Sequence, residues 1–127
     1  MQDSFEVVPI GRIRTPFETT DEAPRQGRGG AAEGTIEISP EYEEALDGYE
    51  PGESVIVVWF ADRADRSLRR VDRKGGMGVF RSRSPARPNP ICLTTCEVLE
   101  VDGSTLRVRG VDMLDGSPVL DLKPPLR

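Results

Sequence analysis

The chain has 127 residues, 36% of them hydrophobic and 31% charged, with a formal net charge of −5, which is enough for one compact domain (1–127) and too short for two ordinary ones. The longest apolar run, Val55 to Ala61, is seven residues long against the roughly 20 that a membrane-spanning helix needs. Met1 to Phe5 carries no basic segment leading into an apolar one, so a soluble, cytoplasmic protein with no membrane partner is expected. Histidine is absent and the only cysteines are Cys92 and Cys96, which excludes Ser-His-Asp and Cys-His nucleophile pairs, imidazole metal sites and a disulfide scaffold; no metal is expected.

Short strand-like segments separated by turn residues dominate, and the expected fold is mainly β with one short helix. Phe5 to Ile13 reads as a first strand, with Pro9 marking an edge or bulge. Thr15 to Gly34, holding Ala23-Pro24-Arg25-Gln26-Gly27-Arg28, is long for a structureless connection and reads as a working loop or as disorder. Thr35 to Ile38 gives a second strand. Ser39 as N-cap, Pro40 at the first helical position, acids in the first turn and Gly48 past the end predict a two-turn helix.

Val55 to Phe60 is apolar on both faces, as in a central strand packed on each side within a barrel or sandwich. Gly75 to Pro90 is a second long loop. Ile91 to Val101 is a strand, Asp102-Gly103 a hairpin turn, and Thr105 to Val111 the return strand, with Leu106 and Val108 facing in and Arg107 and Arg109 out. Asp115-Gly116 is a further turn before Val119 to Leu122. On the Ile91 strand, Cys92 and Cys96 would share a face roughly 13 Å apart, beyond disulfide reach, as small buried residues.

Charge is uneven. Between Asp62 and Arg87 nine basic residues face three aspartates, whereas Glu37 to Glu53 holds seven acids and no base. The basic stretch suits either an anionic partner or a solvated surface. In Arg83-Ser84-Pro85-Ala86-Arg87-Pro88-Asn89-Pro90 the prolines stiffen the backbone that presents two arginines and an amide, a set suited to a carboxylate or zwitterion. The same arginines could instead pair with the acidic half. Asp112, Asp115 and Asp121 suggest a carboxylate site only weakly, since a turn role for Asp115 and surface positions for the other two explain them as well. Gly75-Gly76-Met77-Gly78 lacks the strand and helix that a phosphate-binding fingerprint requires.

Several of these motifs occur together in order and spacing: Pro9-Ile10-Gly11 with Thr15-Pro16-Phe17, Ala23-Pro24-Arg25-Gln26, Gly78-Val79-Phe80, Arg83-Ser84-Pro85 through Asn89-Pro90-Ile91, and Leu114-Asp115-Gly116-Ser117-Pro118-Val119-Leu120-Asp121. From Ile10 to Pro124 the chain resembles the TsaA-like, or TrmO, family. The resemblance implies a small antiparallel β-barrel that binds S-adenosyl-L-methionine as a homodimer and N6-methylates N6-threonylcarbamoyladenosine beside the anticodon of tRNA. The cofactor contacts it implies fall on Pro24, Arg25 and Gln26; on Asp62 and Arg63; on Arg83; on Leu93; and on Leu114, Asp115, Gly116 and Ser117.

This chain departs from the family pattern at Ala61-Asp62-Arg63, where many members carry a histidine, and at Cys92, where glycine is usual. It also ends at Arg127, short of the C-terminal extension of larger members. With histidine missing, positioning of an activated methyl group must carry much of the catalysis, and Asp62 is the candidate acceptor for the N6 proton, with solvent and the substrate's own carboxylate as rivals. Arg66, Arg69, Arg70 and Arg73, with Arg87 and Asn89, are the expected contacts to the substrate and its phosphates. A small-molecule or peptide acceptor, and a non-catalytic nucleoside- or RNA-binding module, are the alternative readings.

Overall fold

The computed structural model describes residues 3–19, 21–23, 30–72 and 75–126. Its strands are β1 (Gly11–Arg14), β2 (Glu33–Ile38), β3 (Ser54–Phe60), β4 (Arg70–Val71), β5 (Met77–Gly78), β6 (Ile91–Asp102), β7 (Thr105–Arg109) and β8 (Pro118–Lys123). Six of them close an antiparallel barrel in the order β1-β2-β7-β6-β3-β8, and β4 and β5 form a separate two-stranded ribbon. Alternation builds the wall. Ile36 and Ile38 on β2, Leu106 and Val108 on β7, and Val55 and Val57 on β3 all turn inward and are buried, while Arg107 on β7 stays exposed.

Closure depends on β1 meeting β8 at Gly11↔Val119. A Cβ on Gly11 would run into the Glu37 carbonyl of β2, so the smallest residue stands where two strands crowd one position. Register shifts between Val58 and Trp59 against β8, and between Val98 and Glu100 against β7, supply the local bends that curl a short sheet into a barrel. Val111 and Met113, from the segment between β7 and β8, complete the core with exposures of 1% and 0%.

A mainly β barrel in a single small domain with one short helix is what the residue pattern predicts, and this is the observed architecture. Four expectations change in detail. The first strand starts at Gly11 rather than Phe5, because Phe5, Val7 and Val8 are 89%, 59% and 61% exposed and only Ile10, through its N–H to the Val119 carbonyl (2.8 Å), carries the β8 contact further back. The helix, Pro40–Leu46, is a 3-10 helix; Ser39 occupies its N-cap without a side-chain capping bond, its carbonyl instead accepting from the Tyr42 N–H at 2.8 Å. Strand β3 is buried on one face only: Ile56, Val58 and Phe60 point out of the barrel and are half-buried. Finally, the 75–90 stretch is not structureless, since it contains β5 and the 3-10 turn Val79–Arg81. The hairpin between β6 and β7 turns at Gly103 with φ +61°, as Asp102-Gly103 predicts, and both cysteines are free.

Candidate functional site

Strand β7 pairs with β6 only from Glu97 onward, so the first part of β6, Ile91 to Cys96, runs past its neighbour on that side. A cavity of about 530 Å³ lies there, bounded by the end of β3, the start of β6, the segment before β8, and the arm 61–90 that joins β3 to β6. Its inner wall is the open end of the barrel, where Trp59, Cys92 and Thr94 point inward beside Asp112.

These side chains form a chain of hydrogen bonds with a fixed direction. The Trp59 indole Nε1–H donates to the Thr94 hydroxyl at 3.0 Å, and that hydroxyl donates to Asp112 Oδ1 at 2.6 Å. An indole can only donate and a hydroxyl has one proton, so Asp112 must be the acceptor at the end of the chain. Of the two sequence expectations for Asp112, a carboxylate site or a surface position, the surface position does not hold, since the residue is half-buried in the cavity wall. No local pattern could reveal this, because Thr94 is on β6 and Asp112 lies in the segment between β7 and β8.

The Leu114–Ser117 turn is sewn to the end of β1. The Ser117 hydroxyl donates to the Leu114 carbonyl at 2.6 Å, Gly116 N–H to the Ile13 carbonyl at 2.8 Å, and Thr15 N–H to Asp115 Oδ1 at 3.0 Å. Leu114 and Ser117 line the cavity. The Asp115 carboxylate turns to Thr15, and its carbonyl accepts from Arg63 Nη2 at 2.9 Å. Asp115 and Gly116 therefore border the site and hold its edge in place, and they are not on the cavity wall.

On the arm, the arginines divide by what they hold. Arg83 lines the cavity and reaches the Leu93 carbonyl on β6 at 3.4 Å. Arg63 lines it beside Asp62, with Nε 3.6 Å from Asp62 Oδ1 and side chains 47% and 40% exposed. Arg87 also borders the cavity but donates to the carbonyls of Val79 (2.9 Å) and Ser82 (3.1 Å), bracing its own loop. Arg66 donates to the Pro88 carbonyl at 2.8 Å and lies 5.8 Å from the Phe60 ring centre, and Arg69 donates to the Ser67 carbonyl at 3.0 Å. Arg70 and Asn89 are exposed and stand outside the cavity wall. Pro24, Arg25, Gln26 and Arg73 lie outside the described residues; Ala23, next to the first of them, is on the cavity wall.

Burial pushes the Cys92 thiol up to about 11 and the Cys96 thiol up to about 12, with the Asp112 charge acting in the same direction on both. At neutral pH these thiols are small apolar fillers and not nucleophiles. Among the described residues no group of three or more Cys, Asp or Glu side chains could hold a metal ion, and no helix is long and apolar enough to cross a membrane.

Known proteins resemble this chain in sequence and in fold. Residues 12–127 match the family described as "tRNA-methyltransferase O N-terminal domain". A "Probable S-adenosyl-L-methionine-binding protein" of Halobacterium salinarum is 52% identical over 120 residues, covering 93% of this chain and 96% of the relative. An "S-adenosyl-L-methionine-binding protein" of Archaeoglobus fulgidus is 47% identical over 118 residues, covering 91% and 85%. Among solved structures, TrmO from Pseudomonas aeruginosa superimposes with a TM-score of 0.82 at 35% identity; the match covers 98% of this chain but 57% of that longer one.

Proposed function

The chain belongs to the family of the tRNA-methyltransferase O N-terminal domain, and from that premise we propose that it is an S-adenosylmethionine-dependent methyltransferase whose acceptor is N6 of N6-threonylcarbamoyladenosine beside the anticodon of tRNA. The observation that carries the cofactor reading is convergence: residues from β3, the arm, β6 and the segment before β8 meet around one cavity of about 530 Å³, within the usual size range of small-molecule sites. The donor set fits the cofactor. Arg83 and Arg63 suit its carboxylate, Leu93, Leu114 and Trp59 offer apolar faces to its base, and Asp112 supplies an anion for its cationic part.

When bound, S-adenosylmethionine supplies an already activated methyl group, which is why a chain without histidine suffices. The chain's own work is to position the reactants and exclude water. Asp62 lines the cavity and is 40% exposed, which supports it as the group that accepts the proton leaving N6. Arg66, Arg69, Arg70, Arg73 and Asn89 lie on the arm's sequence and are the contacts to the tRNA, whereas Arg87 is spent on bracing the arm. The protein acts as a homodimer in the cytoplasm: the 77% exposed Phe80 with Ile91 (46%) and Leu93 (49%) at the cavity mouth support a second copy packing there.

Transfer of a labelled methyl group from S-adenosylmethionine to tRNA carrying threonylcarbamoyladenosine, compared with tRNA lacking it, tests the reading. Nucleoside mass spectrometry of a deletion strain tests it in the cell. An unchanged level of the methylated nucleoside there would remove the tRNA role and leave the cofactor reading standing.

One observation favours a second acceptor class. The Arg66 and Arg69 side chains are engaged with backbone carbonyls of their own arm, which leaves less of the basic stretch for phosphate and suits a small molecule or peptide. Salt separates the two readings, because phosphate contacts make tRNA affinity fall steeply as salt rises whereas a small acceptor barely responds.

A further inference from the structure

Among the described residues the cavity wall carries three arginines, Arg63, Arg83 and Arg87, and two carboxylates, Asp62 and Asp112. Asp62 sits at the exposed rim next to Arg63. Asp112 is held on the inner wall by the Thr94 hydroxyl, which is itself oriented by the 9% exposed Trp59. Two interior groups are therefore committed to keeping this carboxylate at one point, and its charge is felt by both barrel-end thiols.

The chemistry of the methyl donor says what such a charge can read. Its ammonium and ribose groups carry N–H and O–H donors that any carbonyl can satisfy. Its sulfonium carries no donor and is the one charge that the demethylated product lacks; oxygen atoms and aromatic faces answer it weakly, a full negative charge more strongly, and a charge in a half-buried wall acts more strongly than one at the rim. We propose that Asp112 is the specificity-determining residue that recognises the positive charge on the donor's sulfur and thereby separates the charged donor from its neutral demethylated product. This rests on the cofactor reading above and extends it.

The experiment is calorimetry on the full chain with three probes: S-adenosylmethionine, S-adenosylhomocysteine, which lacks the charge, and sinefungin, whose protonated amine replaces the sulfonium. Asp112→Asn keeps the shape and removes the charge. It is expected to shift the ratio of the S-adenosylmethionine to S-adenosylhomocysteine affinities toward the latter at least tenfold, about 1.4 kcal/mol, with sinefungin following S-adenosylmethionine. Thr94→Val, which removes the anchoring donor and spares the carboxylate, shifts the ratio the same way by a smaller factor, and Thr94→Ser, which keeps the hydroxyl, restores it. The Thr94 pair decides the matter should Asp112→Asn fail to fold. Equal weakening of all three probes by Asp112→Asn, or a ratio that Thr94→Val leaves unchanged, overturns the proposal alone. Failure of the unsubstituted protein to bind any probe overturns it together with the cofactor reading.

Discussion

Replacing Arg87 with alanine separates an arginine that braces the arm from one that meets a ligand. Its guanidinium donates to the Val79 carbonyl at 2.9 Å and to the Ser82 carbonyl at 3.1 Å, and a hydrogen bond from a charged donor is worth about 1.5–3 kcal/mol net. The full sum is not expected. The Val79 carbonyl also accepts from the Ser82 N–H (3.1 Å) and hydroxyl (2.8 Å), and Ser82 is half-buried, so water replaces part of the loss. About 2 kcal/mol remains for the arm. The amides of Ser82, Ser84, Ala86 and Arg87 are all bonded within this loop, so hydrogen exchange reads its opening directly. A loss of about 2 kcal/mol speeds exchange there roughly thirtyfold while barrel amides keep their protection. Because Arg83 rides on the same loop, cofactor affinity falls too, and Arg87→Lys, whose single ammonium cannot fork to two carbonyls, lies between. Unchanged exchange at Ser82 and Ala86, together with a weaker salt dependence of tRNA binding, would show that Arg87 is spent on phosphate and refute the bracing role.

Three further perturbations test the scaffold and its chemistry. Gly34→Ala puts a Cβ 2.7 Å from the Arg14 carbonyl and 3.0 Å from Val111 Cγ1; overpacking of this kind costs about 1–3 kcal/mol, so the melting temperature should drop by about 3–10 °C, and an unchanged one contradicts the crowding between β1 and β2. Because folding raises both thiol pKa values from 9.0 to about 11 and about 12, the native state holds their protons more tightly: that part of the stability is complete below pH 9 and is lost as pH rises through 11 to 12. Urea midpoints at pH 8 and 11 should therefore fall less in a Cys92→Ala, Cys96→Ala double variant than in the parent, and an equal fall would count against the shifts. Glu33→Gln removes the negative charge that faces Arg107 at 2.9 Å and Arg109 at 3.9 Å on the outer wall, but with side chains 42–47% exposed the cost is below about 1 kcal/mol and vanishes in high salt; a salt-independent loss above about 2 kcal/mol would contradict this.

Alternation made β2 and β7 readable because one of their faces lies in the barrel and the other in water, and Asp102-Gly103 made the β6–β7 hairpin readable because so tight a turn needs a residue that tolerates positive φ. The same rule misled at Phe5 to Val8, where apolar residues have no strand to pair with, and at β3, whose outer residues Ile56 and Val58 are apolar but only half-buried. At the site, the arginines and the Leu114–Ser117 turn were visible as chemistry, but not which arginine would be free. A guanidinium that braces carbonyls and one that faces a ligand have the same local sequence; only the chain's path, bringing Val79 and Ser82 under Arg87, tells them apart. Asp112 was hidden for the same reason, since its meaning comes from Thr94 and Trp59 on two other strands.

The two walls of the cavity differ in how they are held, and that difference bears on how a ligand enters. The inner wall consists of barrel strands tied by ladder bonds on β3 and β6 and by the Trp59–Thr94–Asp112 chain. The outer wall is the arm, fixed by a two-residue ribbon, a 3-10 turn and arginine bonds to its own carbonyls. Local opening draws on the elements with the fewest buried apolar contacts and the most exposed bonds, which here means the arm, where among the described residues Val79 and Pro90 alone are buried. Access is therefore governed by the arm and charge recognition by the barrel. Substitutions on the arm should alter how quickly a ligand enters and leaves, and those at Asp112 and Thr94 should alter which ligand is kept.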